Sequence, residues 1–105
     1  MNHEQAVFRA LADPSRRAIY ARIAAGEAPV KDLVAGFGIS QPAVSQHLAK
    51  LRGAGLVTER REGRLVYYRV EPDGLRPIID WLAHYRAFWP GRVERLEDVL
   101  RGMGA

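Results

Sequence analysis

The sequence predicts a mainly α domain with a small β-hairpin, and three observations lead there. Apolar residues recur at helical spacing in successive segments up to Ala54. Gly36 and Gly38 separate two of those helices by a turn short enough to make a helix-turn-helix unit. Leu56 to Val70 then contains two strands around Glu62-Gly63, a two-residue loop with glycine second, before the chain returns to helix.

Val7, Phe8 and Leu11 make Glu4 to Leu11 a short amphipathic helix. Asp13 is a good N-cap, and Pro14 fits the first helical position, where its missing N–H costs nothing. The second helix therefore runs from Pro14 to about Ala25, turning Ala18, Ile19, Tyr20 and Ile23 inward and stopping at a left-handed Gly26. A third, from about Val30 to Ala35, buries Val30, Leu33 and Val34, and the two glycines after it supply the positive φ of a sharp reversal. Ser40 caps a fourth helix, Gln41 to about Ala54; because Pro42 has no N–H, the Ser40 hydroxyl must find the amide of Ala43.

In the fourth helix Val44, Leu48 and Leu51 form the core-facing stripe. The opposite face carries Gln41, Ala43, Ser45, Gln46, Ala49 and Lys50, with His47 at the boundary. A solvated face would show Glu/Lys pairs, whereas this one suits a groove: glutamine can bond adenine, serine can donate or accept, and alanine methyls can touch thymine.

In the hairpin, a Glu62-Gly63 loop pairs Arg61 with Arg64, Glu59 with Val66 and Val57 with Tyr68. The tip then holds Arg60, Arg61 and Arg64 beside one Glu, a self-repulsive group unless an anion arrives. The alternative is an edge hairpin whose arginines prevent sheet aggregation.

Beyond Glu71-Pro72-Asp73 the pattern is helical to the end. Ile78, Trp81, Leu82, Tyr85, Phe88 and Trp89 form an aromatic stripe that Val93, Leu96, Val99, Leu100 and Met103 continue. A homodimer seam made of Val7, Phe8, Leu11, Trp81, Leu82, Tyr85, Phe88, Trp89, Val93 and Leu96 would cover it, at about 25 cal/mol per Å². Pro90-Gly91 should kink or restart this helix, because an interior proline costs about 3 kcal/mol.

The 105 residues form one domain, with no apolar run long enough to span a membrane and no signal-peptide core, so the expected location is the cytoplasm. Absence of cysteine removes disulfides, thiolate metal sites and thiol nucleophiles. Residues 1–28, 29–70 and 71–105 carry net charges of +1, +4 and −1. Such gathering of charge makes double-stranded DNA the expected partner. No glycine-rich phosphate loop or paired-carboxylate cleft supports an enzyme, and His3, His47 and His84 lie on different elements. A module that binds another protein through the same helix and hairpin is the competing function.

The runs Leu11-Ala-Asp-Pro-Ser-Arg-Arg-Ala-Ile, Ile39-Ser-Gln-Pro-Ala-Val-Ser-Gln-His-Leu-Ala-Lys-Leu, Ala54-Gly-Leu-Val and Gly63-Arg-Leu-Val-Tyr-Tyr-Arg-Val together resemble the ArsR/SmtB family of winged helix-turn-helix repressors over about residues 4–100. The resemblance implies a homodimer that binds a palindromic operator, usually its own promoter, and lets go when an effector binds. By the resemblance Gln41, Ser45 and Gln46 stand where bases are read and Arg60, Arg61 and Arg64 stand on the wing; the reading of the residues themselves adds Ala43 to the base contacts and Ser40, His47 and Lys50 to the backbone contacts. Residues 29–70 would then bind DNA, and residues 1–12 and 72–105 would dimerise. Metal chemistry does not transfer: Pro29-Val30-Lys31-Asp32-Leu33 stands where many members have thiolates, and Asp80, His84, Glu94 and Glu97 do not reproduce the other metal-ligand spacing. No cofactor is expected, and the segment Trp81-Leu-Ala-His-Tyr-Arg-Ala-Phe-Trp is similar to a cysteine-less branch of the family. That similarity implies either an apolar small-molecule effector among Trp81, Tyr85 and Trp89 or no direct ligand.

Overall fold

The computed structural model describes residues 2–85 and 91–103. Helix α1 (His3–Leu11) opens on a capping box: the Asn2 side chain accepts from the Gln5 amide at 2.8 Å, and the Gln5 side chain accepts from the Asn2 amide at 3.2 Å. Helix α2 (Pro14–Ala25) starts as expected, with Asp13 accepting from the amides of Ser15 and Arg16 at 2.8 and 3.1 Å. The Arg16 amide is the main reason the Asp13 carboxyl titrates below its usual range. The cap's stabilisation is therefore present above the unfolded carboxylate's pKa and is lost as pH falls through the lower folded one.

Ile19 and Ile23 are buried and Tyr20 half-buried, but Ala18 is exposed. The two isoleucines define the inward line of α2, and Ala18 sits roughly 100° around the helix from Ile19. Gly26 is not left-handed: its φ of 167° is extended, because the chain leaves α2 directly into a short strand, β1 (Ala28–Pro29). This strand was not expected, since two residues carry no alternation.

Helix α3 (Val30–Phe37) runs two residues further than expected and absorbs Gly36, so Gly38, with φ 65°, makes the left-handed turn without it. Leu33 is buried, and Val30 and Val34 are half-buried. Helix α4 (Gln41–Gly53) is capped as anticipated, the Ser40 hydroxyl accepting from the Ala43 amide at 3.2 Å. Its Val44, Leu48 and Leu51 lie fully in the main core with Val7, Ile19, Leu33 and Leu56. Gly55, φ 77°, ends α4 in a Schellman motif: its amide reaches the Arg52 carbonyl at 3.0 Å, and the Leu56 amide reaches Leu51 at 3.0 Å.

Strands β2 (Val57–Glu62) and β3 (Leu65–Val70) form the hairpin, and β1 joins the other edge of β3 in the antiparallel order β1-β3-β2. The register differs from the expected one by two residues: Glu62 pairs with Leu65, Arg61 with Val66 and Glu59 with Tyr68. The loop is Gly63-Arg64, with positive φ only at Gly63, the arrangement a type II′ turn demands and one that Glu62-Gly63 cannot supply. A shift of two leaves every side chain on its expected face.

The C-terminal stripe is divided. Helix α5 (Arg76–Ala83) ends before Pro90, as the amides of His84 and Tyr85 tighten onto the carbonyls of Trp81 and Leu82 at 3.2 and 2.9 Å. Helix α6 (Arg92–Met103) packs back on α5, burying Val93 and Leu100 against Ile79 and Leu82. The expected break at Pro90 lies outside the described residues, as do Phe88 and Trp89. Two members of the expected seam are corrected: Val7 is fully buried in the main core and Val93 in the α5–α6 core, so neither side chain is available to a partner.

Gly74 is buried where the chain enters α5, and a Cβ there would stand 2.7 Å from the Gly55 carbonyl oxygen and 3.0 Å from the Leu56 Cα. Both neighbours are backbone and cannot rotate away. Gly74→Ala is expected to cost about 1–3 kcal/mol in urea unfolding.

Candidate nucleic-acid interface

The solvent face of α4 follows from burial of its other side. Gln41, Ser45, Gln46, Ala49 and Lys50 are exposed, and Ala43 and His47 are half-buried at the margins. Ser40 is exposed at the helix start; its oxygen serves the cap, and its hydroxyl hydrogen is left to donate. The face carries no carboxylate, and its long cation, Lys50, lies toward α1 and away from the wing.

A cleft of about 260 Å³ separates α4 from the wing, lined by Gln41 and Ser45 on one side and Arg64, Leu65 and Val66 on the other, with Lys31 at the start of α3. Lys31 was not among the expected contacts. Its position in the first turn of the first helix of the unit was the available signal, but only the folded α3–α4 crossing brings it beside Ser45 and Arg64. Lys31, Arg61 and Arg64 are exposed, with no ion pair among the described residues.

Arg60 behaves differently from the free wing cation that was expected. Its Nε donates to Glu27 at 2.8 Å, its Nη1 donates to Glu62 at 2.7 Å, its Nη2 also reaches Glu27, and the guanidinium lies 4.7 Å from the centre of the Tyr67 ring. The Glu62 hydrogen bond first, then Glu27, pushes its pKa further up. The expected three-arginine repulsion is therefore relieved inside the chain, by a carboxylate from the α2–β1 connection as well as one on β2. On β2 and β3, Glu59 takes Arg52 of α4 at 2.8 Å and the Tyr68 hydroxyl at 3.2 Å. Partial burial, ahead of the Glu59 bond, raises the Tyr68 pKa. These pairs hold the wing to α4 and to the end of α2.

On another surface, Phe8 meets Trp81 edge-on with ring centres 5.5 Å apart, and Trp81 meets Tyr85 at 5.2 Å. Each of the three rings is about two-fifths exposed, as is Leu96. Leu11 and Leu82 are half-buried beside the cores. Trp81 and Tyr85 are in ring contact, which leaves no space for a ligand between those two. Among the described residues no group of three or more His, Cys, Asp or Glu could hold a metal ion, and no helix is long and apolar enough to cross a membrane.

A helix-turn-helix domain family matches residues 11–60. The transcriptional repressor SdpR of Bacillus subtilis is 33% identical over 79 residues, which is 75% of this chain and 88% of that protein. The match spans 56%, 53% and 59% of three further, longer regulators. Among solved structures, an ArsR-like transcriptional regulator from Rhodococcus sp. RHA1 superposes with a TM-score of 0.73 at 26% identity, covering 92% of each chain. A homodimeric winged helix-turn-helix DNA-binding domain from Mycobacterium bovis does so with a TM-score of 0.67 at 30% identity, covering 82% of each.

The pairing of Arg60 separates it from its neighbours on the wing. In salt titrations of DNA binding, Arg61→Ala and Arg64→Ala should each lower the log–log slope by about one. Arg60→Ala should leave the slope unchanged and reduce the thermal midpoint instead, the wing having lost its hold on Glu27.

Proposed function

Because the chain belongs to the ArsR/SmtB family of winged helix-turn-helix transcriptional regulators, and is thus a DNA-binding regulator and not an enzyme, we propose that it is a homodimeric repressor of its own or an adjacent operon that reads a palindromic operator. The observation that carries this is the exposed, acid-free stripe of α4 beside a cleft edged by Lys31 and Arg64. Short and uncharged side chains let a helix seat deeply in the major groove, while flanking cations meet the phosphates. Gln41, Ala43, Ser45 and Gln46 are assigned to bases. Ser40, His47, Lys50, Arg61 and Arg64 are assigned to the backbone, with Lys31 added and Arg60 reassigned to holding the wing.

Residues 29–70 are the DNA-binding portion in this reading, and residues 1–12 and 72–105 the dimerising one. The exposed rings of Phe8, Trp81 and Tyr85, with Leu11, Leu82 and Leu96, supply the self-complementary apolar surface a twofold interface needs. The homodimeric state of the Mycobacterium bovis domain supports it.

Two dyad-related helices should read half-sites with centres about 10 bp apart or a small multiple of that. Mobility shifts on the inverted repeat upstream of the gene should show binding that weakens steeply with salt, by about 0.9 log units per phosphate contact for each roughly tenfold rise in salt. Gln46→Ala should erase about 1–3 kcal/mol of discrimination at one base pair. Trp81→Ala should yield monomers by sedimentation and lose operator binding with them. Equal affinity for operator and random duplex at physiological salt would overturn the proposal.

A further inference from the structure

On the side of α4 away from the wing, a cleft of about 250 Å³ opens between α1 and the last turns of α4. Ala6, Ala10 and Ala54 make it apolar, Arg9, Arg16 and Lys50 edge it with cations, and among the described residues no carboxylate lines it. Arg16 is fixed in place: its Nε donates to the Ala10 carbonyl at 2.7 Å, its Nη2 donates to the Arg9 carbonyl at 3.3 Å, and its side chain is only 13% exposed. The nearest balancing charge recorded for it is Asp13, at 3.9 Å. Arg9 and Lys50 are exposed and make no side-chain ion pair among the described residues. Three cations thus line an apolar hollow, and among the described residues the Asp13 carboxylate paired with Arg16 is the one acid that offsets any of them, a field that draws an anion inward.

We propose that this cleft binds a small organic monocarboxylate. The carboxylate would sit among Arg9, Arg16 and Lys50, where charge-assisted bonds are strong. The hydrocarbon body would lie on the three alanines. A phosphodiester would satisfy the cations and leave that apolar floor empty, which favours the organic acid. The volume of about 250 Å³ lies below the range of pockets that take drug-sized ligands, so the occupant is smaller than those.

The cleft is walled by α1, α2 and the reading helix itself, so occupation has a consequence for DNA. Resting on the function proposed above, a bound carboxylate holds Lys50 toward α1 and off the phosphate, and so weakens operator binding. By linkage, operator weakens carboxylate binding by the same factor.

Calorimetric titration of the full chain without DNA tests the site apart from the DNA reading, with benzoate and hexanoate as probes and inorganic phosphate as the bare-charge control. Both carboxylates should bind, with phosphate at least roughly tenfold weaker at matched ionic strength. Arg9→Gln should weaken benzoate roughly tenfold. Ala6→Leu, which fills the floor without touching a charge, should do the same; the exposed Arg9 variant keeps the test valid if Ala6→Leu disturbs folding. Saturating benzoate should then raise the operator Kd at least roughly fivefold in the wild-type chain and not in Arg9→Gln. No carboxylate binding, or equal binding of phosphate and benzoate, would overturn the proposal. So would an Arg9→Gln chain that keeps its benzoate affinity while its DNA salt slope falls by one, which would assign Arg9 to the DNA backbone.

Discussion

The corner at Ala54 to Leu56 sets the angle between α4 and the wing, and three other parts of the chain close on it. Gly55 takes the left-handed conformation that a side chain would make costly, by about 1–2 kcal/mol. That turn drops Leu56 into the core beside Leu51 and sends β2 away from α4. The Leu56 carbonyl then accepts the Glu71 amide at 2.9 Å, and Gly74 lies against the same backbone. His3 of α1 meets the Ala54 carbonyl at 3.1 Å. Helix α4, the wing, α1 and the entry to α5 thus share one junction.

Charge is distributed around that junction in two different ways. Arg52 and Arg60 are spent internally, on Glu59 and on Glu27 and Glu62, and they hold the wing in position. Lys31, Arg61 and Arg64 have no such partner among the described residues and face solvent. The division matters because a wing must be stiff enough to present its free cations at a fixed distance from α4, and exposed ion pairs help only when several act on one element.

A cleft lies on each side of α4, and the two differ in chemistry. The wing-side cleft combines Gln41 and Ser45 with cations, a lining that suits bases and phosphates. The α1-side cleft combines alanines with cations, a lining that suits a small acid. Lys50 borders the second and stands on the helix that forms the first, so on the two proposals made above one helix serves both reading and its control.

Local chemistry determined much of this in the sequence itself. The caps at Asp13 and Ser40, the stripe Val44, Leu48 and Leu51, the polar opposite face and the existence of the hairpin all depend on residues within a turn or two of one another, where spacing is informative. Tertiary structure alone decided the rest. The two-residue β1 exists because β3 offers it an edge, and the loop at Gly63-Arg64 was chosen by which residue can hold positive φ in a twisted ribbon. Helix α6 folds onto α5 and takes Val93 from the expected seam, Glu27 reaches Arg60 across 33 positions, and Arg9, Arg16 and Lys50 line one cleft from three helices. Each of these depends on partners far apart in the chain, and periodicity carries no information about which distant charge or edge will arrive.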